Sequence, residues 1–251
     1  MAGWARRTAG AAALLAASAA LVGCGDDGDD SSTGDEQTGD SASSSAFVEQ
    51  EGAEIRDAAA TAMGDLESLR VSGEVAVDGE EVSIEIATSR GGDCSGTVGF
   101  GGADAEVLSV DGQTWFRPSE EFWRASAGPQ ADQIIEVVDG RWVVLGEDEG
   151  FAELCDLDQL LEELLEDTDE ATTYETGEVT DVDGTEAVAV VSTDEDGESS
   201  TGYIAVEEPH HLLRIERTEG DEQGSVTFTD FDEPVEVEAP ADDETVDLDS
   251  L

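Results

Sequence analysis

Lysine is absent from the 251 residues, and ten arginines stand against 64 aspartates and glutamates, for a formal net charge of −54. A chain this acidic repels polyanions, which excludes nucleic acid as a partner and disfavours anionic headgroups. Histidine is nearly absent too: His210 and His211 are adjacent at a strand entrance, where neighbours point to opposite faces, so at most one could serve a pocket. No G-x-S-x-G elbow accompanies them, so the activated nucleophile and base that a hydrolase needs are missing, and both read as rim or solvent groups. No phosphate loop, dinucleotide fingerprint or basic stripe occurs, so no cofactor is expected. Carboxylate pairs carry no information where acids are this common. Asp181-Val182-Asp183-Gly184 and Asp194-Glu195-Asp196-Gly197 contain fragments of a calcium loop. Aligning either glycine with the loop glycine puts Val190 or Tyr203 where the bidentate glutamate belongs. Both therefore read as hairpin turns, with no metal site, and the chain is not expected to be an enzyme.

Cysteine is scarce and odd in number, at three. The first lies after MAGWARRTAGAAALLAASAALVG, where Arg6 and Arg7 precede a short apolar run free of acids, the layout of an export signal over residues 1–23. Leu21-Val22-Gly23-Cys24 resembles the bacterial lipobox. The resemblance implies cleavage before Cys24 and alkylation of its thiol by a diacylglyceryl group. Two acyl chains or three, palmitate among them, meet the requirement for stable anchoring at the outer face of the cell membrane. Lipidation of Cys24 leaves Cys94 and Cys155 as an even pair in an oxidising compartment, where a disulfide is the default. Closing about 60 residues, it would contribute a few kcal/mol in the chain-entropy model. Without Arg6 and Arg7, eight arginines face the same 64 acids, a charge of −56 spread along the chain. It forms no single ligand cluster, so it reads as solubility in a salty exterior rather than cation collection.

Residues 24–46 hold the lipidated cysteine and then aspartate, glycine, serine and threonine with no apolar periodicity, a disordered acidic tether. A folded domain is expected over 47–251. Phe47, Ile55, Ala58, Ala59, Ala62, Met63, Leu66 and Leu69 recur at helical spacing. VSGEVAV and VSIEIAT around Asp78-Gly79 then predict a hairpin, with further strands at TVGF, AEVLSV and, past Asp111-Gly112, QTWFR. Ser119 is placed to cap EEFWRAS, and Pro129 opens QADQIIEVV. FAELCDLDQLLEELLED reads as one helix containing Cys155. From Tyr174 the alternation returns in YETGEVTDV, EAVAVVST, STGYIAVE, HLLRIER and GSVTFTDF. The order helix, strands, helices, strands predicts an α+β fold, a strongly curved antiparallel half-barrel sheet with helices covering its concave face.

GQTWFRPSEEFWR (112–124), GRWVVL (140–145) and FAELCDLDQLLEEL (151–164) resemble the middle of actinobacterial lipoproteins with a LolA-like fold, the LppX/LprG-like group. DGTEAVAVVSTDEDGESSTGYIAVEEPHHLLRIE and GSVTFTDFDEPVEVEAP are similar to that group's closing strands. The resemblance implies a half-barrel enclosing an apolar cavity that holds acyl chains, and a lipid carrier of the cell envelope. It equally admits an envelope sensor or adaptor that binds another protein and carries no lipid, since fold does not settle function. Trp115, Trp123, Trp142 and Phe116 are either cavity lining or core, and Leu212, Leu213 and Ile215 carry the same two readings, with Leu213 taken as the aliphatic cavity candidate. The expectation is a monomeric, lipid-anchored extracytoplasmic protein, its partners the membrane and a lipid or lipidated ligand.

Overall fold

Asp-Gly pairs punctuate the chain because an Asp-Gly turn tolerates two successive left-handed residues, the geometry that matches the twist of the flanking strands. Asp111 and Gly112 (φ 52° and 80°) and Asp183 and Gly184 (52° and 94°) adopt it. In the computed structural model, the described residues are 46–77, 79–146, 154–165, 172–220 and 223–248. The export signal, Cys24, residues 24–45 of the tether and Asp78 lie outside them.

Helix α1 (Gly52–Gly64) leads into β1 (Ser68–Val77), β2 (Glu80–Ser89), β3 (Cys94–Phe100), β4 (Ala103–Val110) and β5 (Gln113–Pro118). Then come α2 (Glu120–Ser126), α3 (Ala131–Val138), β6 (Trp142–Leu145) and α4 (Leu157–Leu165). Strands β7 (Thr173–Val182), β8 (Thr185–Thr193), β9 (Ser199–Ala205), β10 (Leu212–Arg217), β11 (Gly224–Thr229) and β12 (Thr245–Val246) complete the chain. All join one open sheet in the order β12-β6-β5-β4-β3-β2-β1-β11-β10-β9-β8-β7. Every pairing is antiparallel except β12 with β6. This is the strongly curved α+β half-barrel the alternation predicts.

One row of the concave face crosses eight strands in register: Val190, Gly202, Ile215, Val226, Gly73, Ile84, Val98 and Ala105. Glycine is required where the curving strands close in. A Cβ on Gly73 would lie 2.3 Å from the Ser225 carbonyl oxygen, and one on Gly96 2.2 Å from that of Glu85. Helices α1 and α4 bury Ile55, Ala59, Met63, Leu157 and Leu161 against Val188, Val190, Ile204 and Leu212. Helix α2 sets Phe122 on a second cluster of Ile86, Val98, Val107, Phe116 and the cystine.

Helix boundaries differ from the periodic reading, and the first helix begins at Gly52, with Phe47 ahead of it. The first helix stops at Gly64, and Leu69 belongs to β1, because Arg90 closes the helix end: it donates Nε to the Leu66 carbonyl (2.6 Å) and a terminal nitrogen to that of Gly64. Its other terminal nitrogen pairs with Asp158 of α4. The leucine-rich helix starts only at Leu157, with Cys155 in the turn before it, because Asp156 caps it: the Asp156 carboxylate accepts from Gln159 N (3.0 Å) and its carbonyl from Leu160 N (2.9 Å). Residues 151–153 and 166–167 of that predicted helix lie outside the described residues. Ser119 caps α2 as expected, accepting from Phe122 N at 3.2 Å.

Candidate functional site

Cys94 and Cys155 form a disulfide, Cα–Cα 5.4 Å, across 61 positions. It pins the entrance of α4 to the start of β3, and the fully buried Thr88 hydroxyl donates to the Cys155 carbonyl at 2.9 Å. Thus α4 is fixed at one end by a covalent bond. At the other, the Arg56 guanidinium of α1 donates to the Leu165 carbonyl, a cation at a helix C-terminus.

Between these two helices and β7–β10 the concave face keeps a cleft of about 330 Å³. Its walls are Ala59 and Ala60 of α1 and Leu164 and Leu165 of α4; its floor is Val190, Gly202, Ile204, Leu212 and Ile215, with Tyr174 at one side. Arg56, Thr172, Ser192, Asp194, Glu198, Ser200 and Arg217 complete the lining. A shallower trough of about 280 Å³, lined by Val75, Val77 and Val226, shares Ile215 and Arg217 with it. Val77 (41% exposed) and Phe100 (44%) extend the uncovered apolar surface toward the β1–β2 and β3–β4 turns. The concavity is mixed, apolar where Val190, Gly202, Ile204, Leu212 and Ile215 form the floor and polar in the next row, where Ser192 faces Ser200; its volume lies at the small end of the range for a small-molecule site.

The five sequence candidates are not brought together. Phe116 is buried beside the disulfide and meets Phe122 edge-to-face, centroids 5.4 Å apart. Trp115, its neighbour on β5, is buried on the opposite face by strand alternation. Trp123 packs with Val138, Val143 and Val246 under α3 and borders a separate groove of about 390 Å³. Trp142 lies beneath the Arg117 guanidinium, 4.3 Å from its ring centroid. Leu213 joins Val182, Ala187 and Ala205 in a small cluster apart from the cleft floor, while Leu212 and Ile215 line the cleft. Tyr174, Leu164 and Gly202 line the cleft without being among the cavity candidates drawn from the sequence; the signal for Gly202 is an isolated glycine inside an alternating strand.

The two histidines are packed rather than poised. His210 stacks on Phe47 at 3.7 Å with planes 6° apart, and His211 on Phe231 at 4.1 Å. Burial holds the His211 imidazole below its usual pKa, partly offset by the Asp232 carboxylate. The suspected calcium-loop carboxylates are turn acceptors: Asp181 takes the Gly184 N–H (2.9 Å), and Asp194 those of Asp196 (3.0 Å) and Glu198 (2.9 Å). Among the described residues no helix is long and apolar enough to cross a membrane.

No family model and no curated protein matches the chain. Solved structures do. LprF from Mycobacterium bovis superposes with a TM-score of 0.52 at 14% identity, over 75% of this chain and 96% of that one. The chain has a LolA-like fold. The Mycobacterium tuberculosis lipoprotein LppX matches at 18% identity over 77% of this chain and 99% of its own, TM-score 0.47. A LolA superfamily protein from Nitrosomonas europaea matches at 10% identity over 80% and 100%, TM-score 0.22. Within this LolA-like domain the cleft lies on the concave side of the half-barrel, under α1 and α4.

Proposed function

We propose that the protein is a lipid-anchored extracytoplasmic lipoprotein, fixed to the outer face of the cell membrane through Cys24. Its LolA-like domain, 47–251, binds an acyl chain of a lipid or lipidated molecule, as a carrier rather than an enzyme, and acts as a monomer. The observation that carries this reading is the cleft itself: an apolar floor left uncovered beneath two helices that are each fastened to the sheet. Desolvation of chain methylenes over the apolar part of the floor, about 0.8 kcal/mol each, supplies the affinity. A fluorescent fatty acid titrated into residues 25–251, which contain every described element, is expected to bind at one site and to be displaced by hexadecanoate. Absence of uptake by folded protein would overturn the carrier and leave a protein-binding envelope adaptor. For the anchor, Cys24→Ala is expected to leave the chain unprocessed or release it to the medium. A cleaved form still held at the membrane would contradict lipidation.

A further inference from the structure

The apolar part of the cleft floor ends in one direction and continues in another. Along the strands it is closed, because Ile204 and Leu212 are buried in the core beneath α1 and α4. Across the strands it runs on: Val190 of β8, Gly202 of β9, Ile215 of β10, Val226 of β11 and Gly73 of β1 oppose one another in register. Alternation from Gly73 puts Val75 and Val77 on the same concave face. With Ile215 and Val226 they line the trough of about 280 Å³, so Ile215 is floor to both hollows. Val77 stays exposed although apolar, so desolvation of this strip is left to an occupant that reaches it. Strands lie about 4.8 Å apart, so β8 to β10 measures about 10 Å and β8 to β1 about 19 Å, the reach of an extended hexadecanoyl chain.

We propose that the site selects long acyl chains. The chain fills the cleft, crosses Ile215 and runs into the trough, where Val75 and Val226 set the length at which affinity stops rising. This rests on the acyl-chain reading of the site and adds the class of chain. A chain confined to the floor between β8 and β10 stops gaining at about half the full span, whereas one that uses the trough gains along all of it.

The experiment displaces a fluorescent fatty acid from residues 25–251 with octanoate, dodecanoate and hexadecanoate, each below its micellar concentration. From dodecanoate to hexadecanoate affinity is expected to rise about tenfold; full burial of the added methylenes would give about 200-fold, and the trough is open on one side. Val75→Gln and Val226→Thr, which make the trough polar, are each expected to remove most of that gain and to leave dodecanoate within about twofold of the parent, the size of a lost methylene contact or less. Gly202→Leu, in the cleft itself, is expected to weaken both chains alike. Equal binding of dodecanoate and hexadecanoate by the parent, a gain kept in full by folded trough variants, or equal weakening of both chains by those variants would overturn the proposal and leave the acyl-chain reading standing. Failure of every chain would overturn that reading and this one with it. Should neither trough variant fold, the ranking on the unaltered protein decides.

Discussion

Replacing Gly202 with leucine fills the proposed cleft from its floor without disturbing the strand that carries it. A Cβ built there lies 3.4 Å from Leu212 Cδ1, 3.7 Å from Ile204 Cδ1 and 3.9 Å from the Val190 carbonyl oxygen, ordinary contacts that need no backbone shift. The three further carbons of leucine enter a space of about 330 Å³ that the chain methylenes are proposed to occupy. At about 0.8 kcal/mol per displaced methylene, Gly202→Leu costs about 2.4 kcal/mol of binding. At 1.4 kcal/mol per decade this is about 50-fold in affinity, and Gly202→Ala costs about fourfold. Folding stability should hold or rise, since glycine weakens a strand interior. Gly96→Ala is the contrasting control: its Cβ would meet the Glu85 carbonyl oxygen at 2.2 Å, and overpacking of that kind destabilises by about 3 kcal/mol. The assay pairs hexadecanoate displacement with urea unfolding for each variant. A folded Gly202→Leu protein that binds hexadecanoate as tightly as the parent would refute the placement of the chain on this floor.

Removing the Cys94–Cys155 bridge by paired alanine substitution should lower stability by about 2–4 kcal/mol, read from urea midpoints, and peptide mapping without reductant should recover the cross-linked pair. Arg90→Ala should cost about 2 kcal/mol, because it uncovers the carbonyls at the end of α1 and releases Asp158 of α4; an unchanged urea midpoint would deny Arg90 that role. His211 is held neutral by burial, so its folded pKa lies below the 6.5 of the unfolded chain. The unfolded state then binds more protons between the two values, and stability falls as pH drops below about 6.5, until the folded-state pKa is also passed. Imidazole titration by NMR should show the depressed value, and His211→Phe should flatten stability over that window.

The hairpins were legible because Asp-Gly pairs fix turn type locally, and α2 because Ser119 followed by two acids is a complete cap signal. The limits of α1 and α4 were not, since apolar spacing runs on through Leu69 and back through Cys155. What ends or starts those helices is Arg90, a residue remote in sequence, and Asp156, one capping acid among many. The cleft was legible only in part. Periodicity identifies an apolar face but not which of its rows a helix covers, so Phe116 and Val190 look alike in sequence although one is core beside a disulfide and the other is cleft floor. Leu212 and Leu213 divide between the cleft and a separate cluster at a register shift between Leu212 and Arg214, which no local pattern announces.

Lipid occupancy tests the central claim most directly. Residues 25–251, purified from a bacterial host and examined by native mass spectrometry with solvent extraction, are predicted to carry acyl lipid near one equivalent, with Gly202→Leu protein largely empty. Parent protein that is reproducibly empty, or equal occupancy in both, would contradict the account.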